Sequence, residues 1–339
     1  MPGEKAATEG LLRLSGLSPA LTTRYHWGQS MEKSQADMRF RASFLGPRHW
    51  FGWLMIGLIA VGLLLPRPLI LLFGRGLGRL FHSRNRKRVH IAQVNLQLCF
   101  PASSEERRTR LLKEHLARYG QAILDLGLVW WASERRLDRL CTVSGEQGLR
   151  ALHQAGRPVL LVTPHTVGID MSGAMLSRLL PGVSMMKRAS DPLLSWCLWR
   201  GRSRFGAQIL MRDQGLRPFV RALKSGKVGY FMPDEDLGPA QSVFAPFFGV
   251  ATATLPIVGR LAQLTGATVV PVFTCLANSG HYHVSIGEAL TDFPAGDQIA
   301  DATRVNAAFE ALVRGAPEQY LWTLKWFRTR PSGESRLYD

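Results

Sequence analysis

The chain has 339 residues, 46% of them hydrophobic and 20% charged, which excludes a disordered polymer and a small disulfide-stapled module and leaves room for a sizeable core. Its 42 Lys+Arg against 25 Asp+Glu give a formal net charge of +17, so the surface attracts polyanions: nucleic acid, anionic lipid headgroups or acidic proteins. Cys99, Cys141, Cys197 and Cys275 form no CxxC pair and no Cys/His cluster with zinc-ligand spacing, so they are expected to be reduced thiols in a cytosol-facing protein, with no metal and no cofactor implied.

Residues 1–40 are polar and weakly patterned and are expected to form a disordered extension. They do not resemble a signal peptide, because the first apolar run lies too far inside. That run, WFGWLMIGLIAVGLLL at 50–65, carries no charge. It is a little short of the ~20 residues needed to span a bilayer, and is expected either to span, with Trp50 and Trp53 at the interface, or to break at Pro66 and enter one leaflet. Arg67, Arg75, Arg79, Arg84, Arg86, Lys87 and Arg88 follow it, against Arg39, Arg41 and Arg48 before it. The denser basic flank is expected on the cytoplasmic side, where RNRKRVH suits anionic headgroups. A membrane-anchoring helical segment over 41–90 and a main domain over 91–339 follow from this reading. GRGLGRL at 74–80 follows no strand, so its glycines point to close helix packing, not to a dinucleotide site.

Residues 105–131 predict a long amphipathic helix, with Leu111, Leu112, Leu116, Ile123, Leu124 and Leu128 at helical spacing. From 140 onward short apolar runs (PVLLVT, VSMMK, QILM, VGYFM, TVVPVFTC, HYHVSIG) alternate with helical segments at 168–180, 191–204, 215–225 and 254–265. This predicts an α/β fold: a mostly parallel central sheet flanked by helices, with an N-terminal membrane helix.

PVLLVT reads as a buried strand and GIDMSGAMLSRLL as the next helix, so His165 falls in the loop at the strand's carboxyl end, where open α/β sheets place ligands. Asp170 falls in the helix's first turn, and a loop that turns back brings it to the imidazole. A carboxylate on one ring nitrogen fixes the tautomer and leaves the other nitrogen to take a proton. Taken alone the pair is weak evidence: His-x4-Asp is common, and the helix dipole favours an acid in a first turn whatever its function. Lys187 and Arg188, Arg212 and Asp213, and Asp234, Glu235 and Asp236 each follow another strand-like run. In a parallel sheet all of them converge on the edge that carries His165.

Together these residues resemble the lysophospholipid acyltransferase superfamily, with its H-x4-D/E box, and most of all its late acyltransferase branch of lipid A biosynthesis (Kdo2–lipid IVA lauroyltransferase and its myristoyl and palmitoleoyl relatives). The similarity runs from about residue 44 to the C-terminus through GPRHWFGWLMIG, VNLQLCFP, TPHTVGID, MKRASDPLLSW, YFMPDEDLGP, SVFAPFFG, TGATVVPVF and APEQYLWTLKWFRTRP. It implies transfer of a fatty acyl chain, lauroyl or similar, from acyl carrier protein to a hydroxyl of a phosphorylated lipid A precursor at the cytoplasmic face of the inner membrane. By the same resemblance His165 is the catalytic base and Asp170 its acidic partner. Arg188 is expected to contact substrate phosphate or sugar. Asp234, the first acid of the third box, and Asp236 are expected to bind substrate, and the resemblance leaves open whether Asp236 acts in chemistry or in loop structure. Trp196, Trp199 and Phe205 are candidate linings of an acyl groove. Two rivals stand beside it: an acyltransferase using another lipid acceptor, such as a glycerophospholipid or ornithine-type lipid, and a non-enzymatic basic membrane protein. The C-terminal EQYLWTLKWFRTRP belongs to the lipid A branch, and no nucleic-acid motif is present, so nucleic acid is not an expected partner.

Overall fold

The structure, a computed structural model, describes residues 38–338. The extension expected over 1–40 lies outside the described residues as far as position 37. Met38 and Phe40 already belong to the fold. Met38 is buried against Met186 and Met211, and the Phe40 ring meets Trp196 edge-on at 5.4 Å.

The apolar run becomes α1 (Trp50–Gly62), 13 residues long, or about 20 Å of helix against a hydrocarbon core of ~30 Å. Pro66 then caps α2 (Arg67–Arg84), with Pro68 in its first turn. Among the described residues no helix is long and apolar enough to cross a membrane, which corrects the spanning helix expected at 50–65. The physical reason is the break: Pro66 has no N–H to donate and disfavours helix in the residue before it. One face of α1 (Trp53, Ile56, Ile59, Leu63) packs on the core. The other leaves Trp50, Phe51, Leu54, Leu58 and Val61 exposed.

After α2 come α3 (Arg86–Cys99) and α4 (Glu105–Trp131). α4 has the bounds its periodicity predicts. Ser104 caps it by accepting from Arg107 N at 3.3 Å, and Glu105 and Glu106 complement the helix dipole. Glycines set the α2–α4 approach. A Cβ on Gly78 would stand 2.4 Å from the Leu116 carbonyl oxygen, and one on Gly120 2.3 Å from that of Gly74. Beside this seam the Arg67 guanidinium donates to both oxygens of buried Asp125, which also accepts from Tyr282 OH at 2.7 Å and Gln121 Nε2 at 2.9 Å. A buried charge paired in this way costs about 3–5 kcal/mol when one partner is removed.

The chain continues with α5 (Glu134–Leu140), β1 (Cys141–Ser144), α6 (Glu146–Gln154), β2 (Val159–Val162), α7 (Ile169–Leu179) and β3 (Gly182–Met186). It continues through α8 (Pro192–Ser203), β4 (Gln208–Met211), α9 (Arg217–Lys224) and β5 (Val228–Phe231). A hairpin of β6 (Val243–Phe247) and β7 (Val250–Thr254) precedes α10 (Ile257–Thr265), β8 (Thr268–Leu276), β9 (Tyr282–Ile286) and α11 (Gln298–Gly315). Seven strands form one sheet in the order β1-β9-β8-β2-β5-β3-β4. The block from β8 to β4 is parallel; β9 runs antiparallel to β8 and parallel to β1. All four residues of central β2 are buried. Leu160 and Val162 enter one core, with α3, α9, α10 and α11. Val159 and Leu161 enter the other, with α6, α7 and α8. Helices on both faces explain the unbroken apolar runs of a parallel sheet.

Candidate active site

The parallel block carries β2, β5, β3 and β4 to one edge, and the loops after them hold most of the charged residues singled out in the sequence. His165 lies three residues beyond β2, before α7. Its backbone is held from three sides. His165 N donates to Asp234 Oδ2 at 2.8 Å, Leu321 N donates to the His165 carbonyl at 2.9 Å, and Val167 N donates to Gln319 O at 2.8 Å. The chain's C-terminal stretch thus returns as a latch on the His165 loop, bridged through Thr166 and Tyr320.

The carboxylate on the ring is that of Asp234, not Asp170. His165 Nδ1 and Asp234 Oδ1 are 2.5 Å apart, and Tyr320 OH donates to Asp234 Oδ2 at 3.2 Å. Burial pushes the imidazole pKa down, but the Asp234 charge and hydrogen bond, helped by Glu235, outweigh it and hold it above its ordinary 6.5. The ring leans on Trp326 at 5.8 Å between centroids, and Trp326 stacks on Tyr320 at 4.8 Å. With Nδ1 taken by the carboxylate, Nε2 is the nitrogen left to exchange a proton.

Asp170 lies in the first turn of α7, as expected, but accepts from Arg202 of α8: Nε at 2.6 Å and Nη2 at 3.2 Å. A five-residue separation permits a contact with His165; it cannot reveal a guanidinium 32 positions further on that takes the carboxylate instead. Asp236 is buried and accepts from Thr329 N at 2.6 Å, Thr329 Oγ1 at 2.8 Å and Gly238 N at 3.0 Å. Its carboxylate fastens the C-terminal segment, a role in loop structure. Arg188 follows β3 at the same edge, and its Nε donates to Asp213 Oδ2 at 3.2 Å. Arg212 pairs with Glu235 beside Asp234. Trp196, Trp199 and Phe205 do not line the pocket between α7 and the sheet. Trp196 packs on Phe40 and Phe44, Trp199 on the Met38 cluster, and Phe205 lies beneath the Arg204 guanidinium at 4.7 Å.

A narrow pocket of about 60 Å³ lies between α7 and the sheet. Asp170, Arg202 and Met232 stand at its upper end, and its walls are mostly aliphatic. A base held by a carboxylate at the carboxyl edge of a parallel sheet suits proton removal from an alcohol that attacks an acyl group.

Residues 37–329 match the model of the bacterial lipid A biosynthesis acyltransferase family. The chain belongs to that family. It is 34% identical over 305 residues to a lipid A biosynthesis acyltransferase of Haemophilus influenzae, covering 89% of this chain and 95% of the relative. It is 32% identical to the lipid A biosynthesis lauroyltransferase of Escherichia coli, covering 88% of this chain and 98% of the relative. With the myristoyltransferase of the same organism it shares 30% identity, over 88% and 93% of the two chains. The acyltransferase therefore carries its H-x4-D box on the first half of a site whose second half, Asp234 with Tyr320 and Trp326, comes from far along the chain.

Sequence reasoning missed Arg202, Tyr320 and Trp326. Arg202 sits in RGRSR, which reads as a solvated basic turn of helix. Tyr320 and Trp326 sit in an aromatic tail whose return to His165 no local spacing encodes.

Proposed function

We propose that this acyltransferase moves a saturated fatty acyl group from the thioester of acyl carrier protein to a hydroxyl of a phosphorylated lipid A precursor. His165 is the general base, and Asp234 is the carboxylate that positions it. The acceptor hydroxyl has a pKa far above neutrality, so it needs a base as its oxygen attacks the thioester carbonyl carbon. His165 Nε2 takes that proton while Asp234 stabilises the imidazolium. The tetrahedral oxyanion collapses, the carbon–sulfur bond breaks, and the imidazolium returns the proton to the departing thiolate. A thioester is already activated, so a positioned base and donors to the oxyanion supply the chemistry. Arg202, tied to Asp170 at the pocket mouth, is placed to help fix the carbonyl's surroundings, and Arg188 to meet the acceptor's phosphate or sugar.

The reaction is assigned to the cytoplasmic face of the inner membrane. The exposed apolar face of α1 and the exposed basic residues Arg75, Arg79, Arg84, Arg86 and Lys87 support this. They favour a helix lying in one leaflet over one that crosses it.

The observation that carries the reading is the 2.5 Å His165–Asp234 pair at the carboxyl end of a buried strand. Mass spectrometry of lipid A from a deletion strain tests it. A mass deficit of one acyl chain is expected, restored by the wild-type chain and not by His165→Ala made to the same level. Unaltered lipid A in the deletion strain, with a deficit in another lipid, would assign the acceptor elsewhere.

A further inference from the structure

Asp234 divides its two oxygens between two tasks. Oδ1 meets the His165 ring, 2.5 Å from Nδ1. Oδ2 takes two donors, the His165 backbone N–H at 2.8 Å and the Tyr320 hydroxyl at 3.2 Å. The backbone bond seats the loop. The phenol bond is not needed for that, because Leu321 N on the His165 carbonyl and Val167 N on the Gln319 carbonyl already tie loop and tail together. A hydroxyl delivered to a carboxylate has a different effect. It draws negative charge towards Oδ2 and leaves Oδ1 a weaker acceptor.

The phenol is held where it can do this. Tyr320 is 1% exposed. Its ring stacks on Trp326 at 4.8 Å with 14° between the planes, and meets Trp322 edge-on at 5.0 Å and Phe247 at 5.8 Å. Trp326 also supports the His165 ring at 5.8 Å, so base and phenol lean on one indole. With three rings around it the hydroxyl cannot swing away. Burial first, and then the Asp234 charge, push the phenol pKa well above its ordinary 10, so Tyr320 remains a donor throughout the range in which an imidazole titrates. The other groups facing the ring are Glu235, paired with Arg212, and Arg202; the first raises the imidazole pKa and the last lowers it. Cys99 and Tyr338 face the phenol.

We propose that Tyr320 is a positioning residue that tempers Asp234: its hydroxyl keeps the shared proton on His165 Nδ1 and sets the lower end of the pH range in which His165 acts as a base. The proposal rests on the reading of His165 as the general base. Between an imidazole and a carboxylate 2.5 Å apart, the proton goes to the more basic atom. A donor on Oδ2 makes the carboxylate the less basic of the two, which leaves the lone pair on Nε2 for the reaction. The same donor limits how strongly Asp234 holds the imidazolium. The sign follows. Without the hydroxyl, Oδ1 binds the imidazolium more tightly and the His165 pKa rises; with a stronger donor it falls. One such hydrogen bond corresponds to about 0.5–1 pH unit.

The test uses the purified full chain as wild type, as Tyr320→Phe, and with 3-fluorotyrosine placed at position 320. Fluorine acidifies the phenol and makes it a better donor at nearly the same size. His165 is titrated by NMR of labelled histidine, its signal identified by its loss in His165→Gln. The pH profile of kcat is measured with an acyl carrier thioester and a lipid A precursor. In Tyr320→Phe both the titration and the acid limb should move up by about 0.5–1 unit, with KM for both substrates unchanged. The fluorinated chain should move both down. A residue that only packs the tail would not shift the titration in opposite directions in the two variants. Coincident titrations in all three chains would overturn the inference, as would shifts of the same sign. If Tyr320→Phe does not fold, the fluorinated chain decides alone, and a midpoint that stays or rises rejects the proposal. A His165 titration that moves as expected, beside an acid limb that stays in place, would keep the hold of Tyr320 on the pair and sink the reading of His165 as the base.

Discussion

At the scale of single residues the arrangement turns on which carboxylate faces the imidazole. Asp234 both bonds Nδ1 and accepts from the His165 backbone, so it fixes ring and loop together. Its charge helps hold the His165 pKa above 6.5. A base must be neutral to accept a proton, so acyl transfer should fall as pH drops below that raised value. Asp234→Asn removes the charge while keeping an acceptor for the backbone. The acid limb of the kcat profile should then move to lower pH, and kcat should fall by about 10²–10⁴ through loss of tautomer control. An acid limb that stays in place would show that another group titrates. Stability carries the opposite sign: the ion pair's contribution is fullest below the unfolded histidine's pKa and is lost as pH rises through the folded one. The sequence points to His165 through the charged loops that follow the neighbouring strands and through the family resemblance, not through its local spacing. Its partner was not legible. The nearer Asp170 is an equally good acid by spacing, and only the β2–β5 pairing of Val162 with Phe231 brings Asp234 alongside.

At the scale of elements the helices with strong end signals were readable and the long-range pairings were not. α4 is bounded by Ser104 with two acids behind it and by Ala132 in extended conformation, so its sequence limits and its structural ones coincide. The glycines of 74–80 do what close packing asks. The fit is tight enough for a direct test. Gly78→Ala places a methyl 2.4 Å from the Leu116 carbonyl and should destabilise the fold by about 1–3 kcal/mol. Gly76→Ala, which meets nothing within 4 Å, should be neutral or stabilise by up to about 1 kcal/mol. Equal thermal midpoints for the two variants would reject the close seam. The reversed direction of β9 left no local mark, because HYHVSIG alternates in the same way whichever way it runs. Of the two readings of the charge-free run at 50–65, the structure has the break before Pro66: composition announces an apolar surface, whereas Pro66 decides how much of it is one helix.

At the scale of the whole molecule, one side of the protein carries an apolar ridge. Phe51 is 73% exposed and Leu64 83% exposed, with Leu54, Leu58, Leu72 and Phe73 between 55% and 57%. Solvent-exposed leucines in such number mark a contact surface, and the basic residues of the α2–α3 junction are what the proposed contact with anionic lipid calls for. Leu54→Glu with Leu58→Glu leaves the buried face of α1 untouched. It should lower flotation with vesicles containing anionic phospholipid at least about tenfold, since each buried leucine contributes about 1.5–3 kcal/mol. Raised salt should weaken the wild-type protein's binding without abolishing it. Wild-type flotation by the double variant would remove the ridge from the membrane contact.

The latch of Val167 on Gln319 and of Leu321 on His165 sets an order in time. Translation delivers α1 and its apolar face first, and the segment that seats the imidazole almost last. On the proposed reading the apolar face is ready for a lipid surface long before the imidazole is seated, and a polypeptide cut short before Gln319 is expected to be inert wherever it settles.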